Sequence, residues 1–254
     1  MIIVLSGEGP SDLGVDKPGP VALLLGQLIS RRMGYSPFDL QESVRFVPKS
    51  ELAAIAKGRL ASPPLRGKKA DKKVLPQGTR FFFQNARALA KWIHDNELST
   101  QSIAFLFRDA DRTSSTPRRE WGEKRESVIN GFNFENYSLG VAVIPNPKSE
   151  AWFLCAVQND YQNCQKIEET ASGNDRSPSN LKDQLEQSVK AKYSLPSNSE
   201  ILADLVREGK IDIERICMTS LNLVKDDCHV AIDRLLSFSS RGPGRSEACQ
   251  CQDH

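Results

Sequence analysis

Three unbroken apolar runs, each ending in a turn that carries acids, set the strongest constraint on how this 254-residue chain folds. They are "IIVLS" from Ile2, "SIAFLF" from Ser102 and "LGVAVIP" from Leu139. A strand with one wet face alternates apolar and polar residues. These runs do not, so they read as strands buried on both faces, as in a parallel sheet. The stretches between them have helical spacing. "PGPVALLLGQLISRRMG" is apolar along one side and closes at Gly34, with Arg31 and Arg32 in its last turn where cations suit the helix dipole. "SVRFVP" (Ser43–Pro48) reads as a short strand and "KSELAAIAKGRL" as a short helix. In "FFFQNARALAKWIHDNEL", Ala86, Leu89, Ala90 and Ile93 share a face. Strand and helix in alternation predict an α/β, Rossmann-type fold: a mostly parallel sheet flanked by helices.

Beyond about residue 160 the pattern turns helical and polar. "SPSNLKDQLEQSVKAKY" offers Ser179 or Asn180 as an N-cap, "NSEILADLVREG" offers Asn198 or Ser199, and "TSLNLVKDDCHVAIDRLLSF" predicts a long last helix. The expected organisation is a sheet-bearing domain over 1–157, a helical C-terminal region over 158–240 and a flexible tail over 241–254. No apolar run approaches the ~18 residues of a membrane span. The first residues read as a strand rather than a signal peptide, so no membrane and a cytoplasmic location are expected.

Net charge is +2, which implies no global basic field, yet the charge is uneven. A loop or insertion at about 57–78 is dense in Lys and Arg with one Asp. It reads either as a solvated loop or as a phosphate-tracking segment, with Arg66, Lys68, Lys69, Lys72 and Lys73 as the contacts. The six cysteines include no CxxC pair and lie in a chain too long to need disulfide staples. The "CQCQDH" tail is read as disordered rather than metal-binding. His94 and His229 read as structural, and Trp92, Trp121 and Trp152 as packing, with Trp121 the one candidate for base stacking.

The acids carry the chemistry. The first strand delivers Glu8 and, four residues on, Asp12; the second delivers Asp109 and Asp111; the third delivers Glu150 at the mouth of a helix. In an open parallel sheet the C-terminal strand ends line one crevice. Four or five carboxylates there repel one another, and a hard divalent cation is the usual compensation. Structural readings stand beside this one: Asp12 as a turn residue, Glu150 as a dipole-favoured helix start, and Asp109 and Asp111 as loop residues. Glu8 between two glycines is the hardest to explain structurally.

"IIVLSGEGPSD" followed by "IAFLFRDADRT" resembles the Toprim (topoisomerase–primase) domain, in which one strand ends in a Glu-Gly turn and a later one in Asp-x-Asp. The "EGPSD" form and "IPNPKSEAWFL" look closest to OLD-family nucleases and to stand-alone Toprim proteins of bacterial defence loci. The resemblance covers about residues 1–157. It implies a Toprim-like fold and a metal-dependent nuclease acting on DNA or RNA, as an effector of anti-phage defence. It implies Mg²⁺ or Mn²⁺ held by Glu8, Asp12, Asp109, Asp111 and Glu150. Glu8, Asp109, Asp111, Glu150 and Lys148 would be catalytic, Lys148 as a phosphate contact. Arg112, Arg118 and Arg119 would join the basic segment in holding nucleic acid. The chain lacks the ATPase half of OLD nucleases and any P-loop, so a partner protein such as an ATPase from the same locus, or homo-oligomerisation, is implied. None of its tyrosines sits where a topoisomerase nucleophile would.

Two alternatives remain at this stage. "DADRT" also fits a haloacid-dehalogenase-type phosphatase with Asp109 as nucleophile, Lys148 as its lysine and the acids of "KDD" at 225–227. A non-catalytic partner or sensor subunit is the third reading.

Overall fold

The computed structural model describes residues 1–14, 16–40, 42–60, 78–111 and 118–240. Its centre is a four-stranded, all-parallel sheet in the order β2-β1-β3-β4. The strands are β1 (Ile2–Gly7), β2 (Val44–Val47), β3 (Ser102–Phe107) and β4 (Gly140–Val143). β3 is buried at every position, and Ile3–Leu5 of β1 are at most 1% exposed, as their unbroken apolar runs require. β4 is shorter than its apolar run. Past Val143 the chain leaves the ladder, but the "IPNP" carbonyls still accept N–H bonds from the loop after β3: Ala110 to Pro145 (3.2 Å) and Asp111 to Pro147 (3.0 Å).

Ten helices surround the sheet among the described residues: α1 (Pro10–Leu13), α2 (Pro20–Met33), α3 (Lys49–Leu60), α4 (Arg80–Asp95), α5 (Arg118–Phe134), α6 (Ser149–Val157), α7 (Cys164–Thr170), α8 (Leu181–Tyr193), α9 (Ser199–Arg207) and α10 (Thr219–Ser240). Of the cap candidates, Asn180 rather than Ser179 and Asn198 rather than Ser199 take the role, accepting from the backbone of Asp183 and Ile201, and Gly34 ends α2 in the left-handed conformation. α5 has no clear apolar stripe in its sequence and is seen only in the structure. It packs against α4 and β4, and Trp121 on it donates to the Ile144 carbonyl at 2.8 Å. That bond makes Trp121 a packing residue whose indole N–H is spent.

The helical C-terminal region shares the sheet's hydrophobic core. α10 packs on α2, β3 and β4, and its Leu221, Val224, Cys228 and Ile232 are at most 1% exposed within that core. Trp152 of α6, fully buried, donates to Ser220 Oγ at 3.0 Å. Gln27 of α2 bonds the backbone of Val206, Ile211 and Ile213. A chain this long is expected to need no disulfide staples, yet one pair is joined. Cys155 and Cys164 are disulfide-bonded, since α6 and α7 bring their Cα atoms to 4.9 Å. No helix among the described residues is long and apolar enough to cross a membrane. The "CQCQDH" tail lies outside the described residues, as does most of the basic segment.

Gly7 closes β1 at φ +154°, and a Cβ there would collide with the Phe107 carbonyl of the neighbouring strand. Gly34 also has positive φ but faces open space. Gly34→Ala should therefore cost about 1 kcal/mol, and Gly7→Ala at least ~2 kcal/mol because the β1–β3 ladder itself must move. Urea denaturation of both variants checks this; equal losses would refute the proposed crowding.

Candidate functional site

The C-terminal ends of β1, β3 and β4 meet at one edge of the sheet, and the predicted acids gather there. Ladder register carries the alignment. Gly7 pairs with Phe107, and Glu8 donates its N–H to the Phe107 carbonyl at 3.3 Å, so Glu8 lies beside Arg108, one residue before Asp109. Ala110, 1% exposed, anchors the next turn in the core, and Lys124 of α5 donates to its carbonyl at 2.7 Å. Asp109 is thereby turned inward and Asp111, at φ +51°, outward.

Ser149 draws two acids together. At the start of α6, its backbone N–H donates to Asp109 Oδ1 and its hydroxyl to Asp12 Oδ1, each at 3.0 Å. Residues from β1's turn, β3's loop and α6 thus converge on one serine. Glu150 adds a third carboxylate, and its Oε2 is buried with no hydrogen-bond partner among the described residues. The three lie in a cleft of about 550 Å³ whose opposite wall comes from the C-terminal region: Lys182 and Glu186 of α8 and Ser197–Ser199 at the head of α9. Ser199 Oγ also bonds the Ser11 carbonyl, tying that wall to the β1 turn.

Crowding of like charge shows in proton affinity. Burial, followed by the charges of Glu150 and Asp12, pushes the Asp109 carboxyl up to about 8, against the opposing Ser149 N–H bond. Burial pushes Asp12 up to about 6; the Ser149 hydroxyl opposes this and Glu150 reinforces it. Lys148, with Lys182, is one of two lysines at this end. Its side chain is only 12% exposed, 2.9 Å from Asp175 and 3.4 Å from Asp111. Burial works against its charge, but the Asp175 hydrogen bond and the surrounding carboxylates outweigh burial and raise its pKa. It is not a solvated lysine.

Glu8 stands one step aside from this group. Its Oε2 takes Arg108 at 3.1 Å and Lys49 at 3.4 Å, and it lines a neighbouring cleft rather than the one around Asp109. Among the described residues, no three Asp, Glu, His or Cys side chains are already arrayed around a metal-sized point. The donor chemistry nevertheless suits a hard cation: Asp12, Asp109 and Glu150 are oxygen donors whose mutual repulsion a cation would relieve, and Glu150 Oε2 has no partner among the described residues.

Of the predicted nucleic-acid contacts, Arg66, Lys68, Lys69, Lys72, Lys73 and Arg112 lie outside the described residues. Arg118 opens α5, and Arg119 is exposed and paired with Glu123 at 2.7 Å. Of the phosphatase's late residues, Lys225 donates to the carbonyls of Glu214 and Ile216, and Asp227 is paired with Arg125 at 2.5 Å. Both are occupied within the α10 packing. Ser149, Asp175, Lys182 and Lys49 were not singled out from the sequence. A serine ahead of a helix acid looks like an ordinary cap, and Asp175 and Lys182 come from a region with no motif. The chain matches no family model, no curated protein and no solved structure.

Asp109 holds its proton in the folded chain up to about pH 8, and an unfolded aspartate only up to about 4. The stability this confers is full below pH 4 and is lost as pH rises through 8. Asp12 acts with the same sign up to about 6. In chelator, the wild-type melting temperature should fall from pH 5 to pH 9, and Asp109→Asn should flatten the fall and be the more stable protein at pH 9. Parallel pH curves for the two proteins would contradict the crowding of charge at this cleft.

Proposed function

We propose that this chain is a divalent-cation-dependent nuclease with a Toprim-like catalytic centre, hydrolysing phosphodiester bonds in DNA or RNA, and that it serves bacterial anti-phage defence. The observation that carries the reading is the meeting of Asp12, Asp109 and Glu150 at the C-terminal edge of a parallel sheet, gathered around Ser149. Burial and like charge raise the proton affinity of Asp12 and Asp109, and a bound cation would relieve that crowding, which supports the reading. The defence role comes from the resemblance of "EGPSD" and "IPNPKSEAWFL" alone.

Asp12, Asp109 and Glu150 would hold Mg²⁺ or Mn²⁺, with Asp111 at the rim. Such an ion activates water at neutral pH and offsets charge on the leaving oxygen. The chain's own residues do the rest. Ser149 fixes the separation of Asp12 and Asp109. Lys148, kept protonated by Asp175 and Asp111, presents positive charge beside the carboxylates, where a phosphate's developing charge needs it. Glu8, braced by Arg108 and Lys49, presents a carboxylate from the adjacent turn. Contacts made to phosphates hold the strand without reading its sequence.

Purified protein should cleave DNA or RNA with Mn²⁺ or Mg²⁺ and stop in chelator. Asp109→Asn and Glu8→Gln should reduce cleavage to background. Ser149→Ala, which removes only a brace on two carboxylates, should lower it about 10–100-fold. Phosphomonoester hydrolysis that survives Glu8→Gln would instead establish the phosphatase reading. Cation binding with no cleavage, alone or with proteins encoded beside it, would leave a non-catalytic subunit.

A further inference from the structure

A second cleft, of about 540 Å³, lies between the ends of β1 and β2. Its walls are apolar, from Leu5, Leu13, Phe46, Val47 and Pro48. Glu8 and Lys49 stand at its polar end. Gly9 lines this cleft and the acid cleft alike, so the two are adjoining compartments. Lys49 and Arg108 both contact the single Glu8 carboxylate, so two cations share one acid at this mouth, with Asp111 and Asp109 also acting on Arg108. Arg108 is held in place by the ring faces of Phe81 and Phe82, 4.0 and 5.1 Å from its guanidinium carbon, and Phe81 is 42% exposed. Burial lowers the Arg108 pKa, with Glu8 opposing, but a guanidinium stays charged in proteins.

An apolar pocket, a cationic mouth and a phosphodiester-cleaving neighbour together describe one ligand. We infer that the β1–β2 cleft receives the unpaired base of a nucleotide whose phosphate rests on Lys49 and Arg108 while the adjoining phosphodiester enters the acid cleft. The substrate class is therefore single-stranded nucleic acid, or an unpaired end or flap. The inference rests on the nuclease reading for the choice of nucleic acid as the ligand and for the placing of its phosphodiester, while base-dependent binding can be read without cleavage. The volume falls within the roughly 300–1,000 Å³ of small-molecule sites, so it takes a nucleotide and excludes a duplex. A base stacked and paired in a duplex is out of reach of such a pocket unless it is extruded. Apolar and aromatic walls bind bases with little sequence preference, because every base presents a flat face.

The test uses full-length protein in chelator, which separates binding from cleavage. A thymidine pentanucleotide should bind at least about tenfold more tightly than a five-unit abasic deoxyribose phosphate of equal charge, and a blunt duplex of about 20 base pairs, long enough to stay paired, should not compete. Lys49→Ala, at an exposed position, should weaken binding of the thymidine pentanucleotide about tenfold with the melting temperature unchanged. Phe46→Ala should narrow the difference between thymidine and abasic strands. Equal affinity for the two strands, or duplex competing as well as single strand, would overturn the inference. The nuclease reading fails separately: preferential binding of the base-bearing strand with no cleavage in any cation sinks the nuclease and keeps the pocket. Cation-dependent cleavage that ignores strandedness and tolerates abasic strands does the reverse.

Discussion

The in-register parallel pairing of β1 with β3 is the constraint on which the rest of the molecule depends. Ile2–Gly7 lies against Ser102–Phe107 over six residue pairs, with about a hundred residues of chain between the two strands. Because both run the same way, both release their loops at the same edge. The Gly-Glu-Gly turn and the Arg-Asp-Ala-Asp loop then become neighbours without any local sequence signal linking them. The tight passage of Gly7 against Phe107 keeps those loops in contact, and the backbone bond from Glu8 extends the ladder by one step. β4 and the "IPNP" segment repeat the arrangement on the far side of β3, which brings α6 and Ser149 into place.

What accumulates at that edge is negative charge in a partly dry environment. Asp109 and Asp12 hold their protons more tightly there than ordinary aspartates, and neutral donors brace them: Ser149 bonds both, and the Ser11 hydroxyl also bonds Asp12. The same edge also holds cations, in a separate arrangement. Lys148 and Lys182 share Asp175 on one flank, while Arg108 and Lys49 share Glu8 on the other. The site is therefore a carboxylate centre between two cationic flanks.

The C-terminal helices belong to this site as well as to the core. α8 and the head of α9 form the wall opposite the carboxylates, and Ser199 and Gln27 fasten that wall to the β1 turn and to α2. Removing the region would expose the apolar face of α2 and the sheet that α10 covers, and open the cleft to water. One wall of the cleft thus comes from a region in which no motif is legible.

The sequence by itself determined the elements that depend on short-range chemistry. Runs such as "SIAFLF" declare buried parallel strands because no polar residue interrupts them, and Asn180, Asn198 and Gly34 declare helix ends because their side chains or backbone suit those positions. The acidic turns were legible for the same reason, as carboxylates placed where apolar strands stop. α5 was not, since its polar run carries no clean apolar stripe and becomes helical by packing against α4 and β4. Nor was the division of labour among the acids. Only the tertiary structure decided that Asp12, Asp109 and Glu150 form one group while Glu8 is held by Arg108 and Lys49, and that Ser149 is the brace. Those contacts join residues 40 to 140 positions apart. Local propensity carries no record of such distances; they are set when strands align and helices cover them.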